Sequence, residues 1–144
     1  MRSYVLPVLV RTAGLAAVSW AFWILGDVIE PADEDFTWLL AFIAVLVGIA
    51  TLWAAVDGVR SARRGDAVRI GLVVWVLVAL AAGLLQPVLV TVQDLASGRP
   101  LGELRLGSNL RVALVYAVLV AVPAMLMFGV AWIAGRKIRV RPRQ

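Results

Sequence analysis

Few side chains in this sequence can do chemistry, and their types are restricted. There is no cysteine and no histidine. That removes thiol catalysis, disulfides, Cys/His metal sites and the imidazole proton shuttle. Nine carboxylates and fourteen basic groups remain. Gln86 is the one strongly polar side chain set deep in an apolar run. It could touch a passing solute. As an amide beside Pro87 it could equally satisfy the carbonyl that the proline leaves without a donor, or clasp a neighbouring helix. Polar residues inside helical membrane bundles mostly serve packing, so the clasp is the expectation.

Three further groupings invite a chemical reading. Asp27 and Glu30 are three residues apart and share a helix face, where two carboxylates could hold a cation or relay protons. Asp33, Glu34 and Asp35 follow at once, without the alternation and glycine turn of a calcium loop. A solvated acidic loop is therefore expected. Asp57 precedes Arg60 by about one turn, which suits an exposed ion pair better than a buried proton-transfer acid. Arg136, Lys137, Arg139, Arg141 and Arg143 form a basic tail over residues 136–144 that can contact anionic lipid. Pro142 and the shortness of this segment argue against a nucleic-acid reader. No metal ligand set and no cofactor motif emerge.

These residues sit in a chain of 144 residues that is 62% hydrophobic and 16% charged, with a mean hydropathy of +0.94. A water-soluble domain of this size keeps too much surface to hide so much apolar side chain. The chain is expected to be an all-α integral membrane protein with four transmembrane helices in an antiparallel bundle. A span needs about 20 apolar residues. Runs over residues 36–56, 70–92 and 112–135 qualify outright. A fourth, over residues 9–28, qualifies if Arg11 snorkels its guanidinium to the headgroups. No small-x-small cleavage site precedes the acidic stretch, so the first span is expected to be an uncleaved anchor.

Charge orients the spans. Eleven basic residues fall on the side of the two termini and the middle loop, and three on the other side. The positive-inside bias then places both termini in the cytoplasm. Trp23 and Trp38 would mark the outer boundary, and Trp53, Trp75 and Trp132 the inner one. Gly58 and Gly65 are expected to break the middle loop, residues 57–69. Ser108 or Asn109 is expected to cap the fourth helix, and Pro87 and Pro123 to kink the helices that hold them. Small-xxx-small pairs at Ala44/Gly48 and Ala79/Gly83 are the expected close helix contacts. Similar alanine rows occur in the first and fourth helices. Lys137 is the sole lysine against thirteen arginines, a coding bias that hints at a bacterial plasma (inner) membrane.

Three function classes follow. A non-catalytic accessory or regulatory subunit comes first, because no charge is expected inside the bilayer and small-residue faces abound. A homo-oligomeric transporter or channel comes second, since it would rest on Gln86, Asp27 or backbone exposed at a proline. An intramembrane enzyme comes last, lacking His, Cys and a carboxylate within a span. The partners expected are the lipid bilayer and a membrane protein or a second copy of the chain.

Overall fold

The computed structural model describes residues 5–29, 36–96 and 106–139, all of it helical apart from one short connection. Four helices follow in order: α1, Val5–Ile29; α2, Phe36–Arg64; α3, Val68–Ala96; and α4, Leu106–Arg139. Each is long and apolar enough to cross a membrane. In hydrocarbon a helix satisfies its own backbone groups, so an uncharged run of this length has no cheaper conformation.

All four helices outrun the apolar segments that announce them. The longest extension at a single end is in α2, which carries seven residues past Asp57 before it stops. Its end is a glycine cap. Gly65 adopts a φ of 79°, open to a residue without Cβ. The Asp66 amide then donates to the Ser61 carbonyl at 3.0 Å and the Gly65 amide to the Ala62 carbonyl at 3.2 Å. This is the paired bonding of a Schellman motif, with Arg63 and Arg64 at the negative end of the helix dipole. The connection to α3 is thus only residues 65–67.

Gly58 does not break the chain. It is buried in mid-helix, where a Cβ would lie 2.5 Å from the Phe128 carbonyl oxygen and 3.0 Å from the Ala131 Cβ. Glycine here brings α2 and α4 backbone to backbone. Gly83 does the same for α3 and α4, with a Cβ meeting the Ala113 carbonyl oxygen at 2.5 Å and the Ala117 Cβ at 2.9 Å. α4 is consequently the hub. It packs most extensively on α2 and then on α3, whereas α2 and α3 touch each other little. α1 lies mainly against α3 and less against α2. The core is a column of Leu15, Leu46, Trp75, Val78, Val120 and Phe128, interleaved with buried alanines. Gly71 leaves the room that the Phe128 ring occupies.

Several expectations are corrected. Ala44 and Gly48 face outward, with nothing within 4 Å of a Cβ at Gly48. α2 instead buries Phe42, Leu46, Ala50, Ala54 and Gly58, a stripe that turns Ala44 and Gly48 away from the bundle. Ala13, Ala17 and Ala21 of α1 are likewise exposed. Ala79 and Gly83 are buried between helices. Trp75 is no boundary residue, being 1% exposed in the core. α4 begins before Ser108 and Asn109, so neither stands at the expected cap position. Pro87 and Pro123 lie within α3 and α4, where the sequence places them.

Candidate functional site

Polar side chains enter the bundle at two levels. The first is near one end. Arg11, two turns into α1, donates from Nε to the Asp57 carboxylate of α2 at 2.7 Å and from Nη1 to the Pro7 carbonyl at 2.7 Å. Asp57 is buried. The expected partners were different: Arg60 for Asp57, and lipid headgroups for Arg11. Among the described residues Arg60 makes no ion pair with Asp57, because Asp57 sits on the buried stripe of α2 and Arg60 on its exposed side. A carboxylate therefore does lie within a membrane-capable stretch, Leu40–Arg64, and the bundle does hold charge in its interior.

A cavity of about 420 Å³ opens at this end. Arg11, Asp57, Arg60, Ser61, Arg64 and Asp66 make its polar side, and Pro7, Ile70, Gly71, Val74, Trp75 and Phe128 its apolar side. Its size is that of a small-molecule site. Trp75 is buried, and its indole N–H has no acceptor among the described residues. Close by, the Trp132 indole donates to the Asp66 carbonyl at 3.2 Å, and Arg136 stacks over the Trp132 ring at 4.1 Å from its centroid. An Arg-rich rim thus surrounds an entrance whose deepest charges are already neutralised by each other.

The second level is eight residues further along α1. Ser19, buried, shares a 2.8 Å hydrogen bond with the Tyr116 hydroxyl of α4 and also lies 2.9 Å from the Leu15 carbonyl, to which it donates. Gln86 of α3, also buried, lies beside the same tyrosine. Phe22 and Phe42 screen this cluster. Their ring centroids are 5.4 Å apart, and Phe42 lies 6.5 Å from Tyr116. Between the two levels stands Leu15, with no exposed surface.

No family model matches the chain, nor does any curated protein or solved structure.

The remaining candidates are placed as follows. Gln86 is buried in α3 beside Tyr116 of α4. Asp27 belongs to the last turns of α1, and its side chain and Glu30 lie outside the described residues, as do the acids that follow. Arg136 and Lys137 are exposed at the end of α4. The side chain of Arg139, and Arg141 and Arg143, fall outside the described residues. Arg136 and Lys137, the tail residues whose side chains are described, do not line the cavity. Ser19, Tyr116 and the Arg11–Asp57 pair are the residues that sequence reasoning missed or mispaired. One signal was available. Arg11, Leu15 and Ser19 recur at four-residue spacing, so a single stripe of α1 holds an Arg and a Ser that a lipid-facing surface would not accept.

Proposed function

We propose that the chain is a non-catalytic accessory or regulatory subunit, a single four-span membrane domain with antiparallel helices and both termini in the cytoplasm of a bacterial cell. The observation that carries this reading is that two interior pairs of polar side chains engage each other. Arg11 is neutralised by Asp57, and Ser19 bonds Tyr116, with Gln86 buried beside them. Leu15 separates the two groups, which supports a bundle without a polar path from end to end. The contact of α1 with α2 near Asp57, and of α4 with the α2–α3 connection at Trp132, supports an up-and-down arrangement. The eleven-to-three division of basic residues supports the cytoplasmic assignment of the Arg-rich end.

Affinity purification in mild detergent tests the subunit reading. A stoichiometric membrane-protein partner that stabilises the chain is the expected result. A self-sufficient homo-oligomer that carries solute or ion flux in proteoliposomes would replace the reading with the transporter alternative. That alternative draws on the Ser19–Tyr116–Gln86 cluster, a polar island that could belong to a pathway once the helices move. An intramembrane enzyme is the least supported, since Asp57, the one buried carboxylate among the described residues, is held by a guanidinium.

A further inference from the structure

The end cavity does not stand alone. A second depression, of about 270 Å³, runs along the outer face of α3 between Arg69 and Leu77. It shares two of its walls, Ile70 and Val74, with the cavity. The two spaces therefore abut at those side chains, one with guanidinium groups on its rim and the other apolar.

We infer that this pair of spaces is a binding site for a membrane lipid with an acidic phosphate headgroup, taken from the leaflet at this end of the bundle. The headgroup would occupy the cavity and an acyl chain the groove. Three features favour this ligand. Arg60 and Arg64, one turn apart on the last turns of α2, line the cavity with exposed guanidinium groups, whose forked donors match phosphate. Arg11 and Asp57 cancel, so those two arginines face the single remaining acid, Asp66, which is itself engaged. The balance is positive, as an anion requires. The groove supplies the second half of an amphiphile's needs. Ile70, Val73, Val74 and Leu77 recur at helical spacing along one stripe of α3, with Val73 57% and Leu77 44% exposed. A free phosphate ion would use the rim and leave that groove without purpose. Arg136 and Lys137 line neither space, and the site stands whether or not a partner subunit exists.

Native mass spectrometry of the detergent-purified chain, titrated with defined lipids, tests the inference. Phosphatidylglycerol should form a one-to-one adduct, and phosphatidylcholine with the same chains should bind at least several-fold more weakly. Arg60→Gln/Arg64→Gln should weaken the phosphatidylglycerol adduct about tenfold or more, given the usual contribution of each basic residue near an anionic surface. Val73→Ala/Leu77→Ala should weaken it several-fold with the rim intact. All four side chains are exposed, so neither variant threatens the fold, and circular dichroism checks this. Arg136→Gln/Lys137→Gln should leave the adduct unchanged. Four results would overturn the inference. They are no preference for the acidic lipid, full binding by either double variant, loss of binding in the tail variant, and displacement of the lipid by millimolar inorganic phosphate. The last would reassign the cavity to a small anion.

Discussion

Asp57 and Arg11 are 46 residues apart in the chain and 2.7 Å apart in the fold. Their contact ties α1 to α2 at the level where the bundle opens. The guanidinium is held on two sides, by the carboxylate and by the Pro7 carbonyl of its own helix, so its direction is fixed.

Removing one member of this pair leaves the other poorly solvated. Arg11→Leu or Asp57→Leu should each destabilise the chain by about 1–3 kcal/mol, below the full cost for a deeply buried pair because the cavity admits water. The double variant should recover much of that loss. Unfolding in mixed micelles, run as a double-mutant cycle, measures it. Additive losses would mean that the two side chains are not energetically coupled.

The two close helix approaches should be intolerant of bulk. Gly58→Leu and Gly83→Leu force α2 or α3 away from a carbonyl oxygen of α4, at a cost of about 2 kcal/mol or more. Gly48→Leu, which meets nothing within 4 Å, should leave the monomer's stability unchanged. Thermal melts in detergent compare the three. Equal losses at Gly48 and Gly83 would contradict the hub arrangement.

Gln86→Leu should be mild, because interhelical polar contacts in bilayers average about 0.6 kcal/mol. Tyr116→Phe should be similarly mild, since Ser19 keeps its bond to the Leu15 carbonyl. The decisive measurement pairs stability with flux in proteoliposomes. A stable Gln86→Leu protein that has lost a flux present in the wild type would promote the transporter reading over the subunit.

The absence of native cysteine permits a clean topology assay. Single cysteines at Asp33 and Gly102 should react with a membrane-impermeant maleimide added outside cells. One at Ala67 should react only after lysis. The reverse pattern would invert the orientation, and a mixed pattern would remove a span.

Much of the architecture is legible in the sequence, for reasons that differ by element. Four apolar runs foretell four helices because hydrocarbon leaves the backbone no alternative partner. Gly65 is legible as a helix end because a cap needs only local geometry. Gly58 is not: a glycine that ends a helix and one that admits a neighbour look alike until the neighbour, Phe128, is known. Asp57 misleads for a related reason. Arg60, three residues away, is the neighbour visible in the sequence, whereas Arg11 becomes the partner only when α1 and α2 meet. Ala44 and Gly48 mislead because an alanine-rich helix carries small residues on every face, and only the larger Phe42 and Leu46 mark the one that packs. Gln86 is conspicuous by polarity, while Ser19 and Tyr116, each ordinary alone, become a cluster only in three dimensions.

The central place of α4 bears on how the protein is made. α4 is the last of the four helices to leave the ribosome, yet it supplies the surface on which α2 and α3 both settle. Until then those two have little to hold to in each other. They can span the bilayer as independent rods, since each satisfies its own backbone, but Gly58 and Gly83 face lipid in place of a backbone. The packing of α2 with α3 therefore waits on α4.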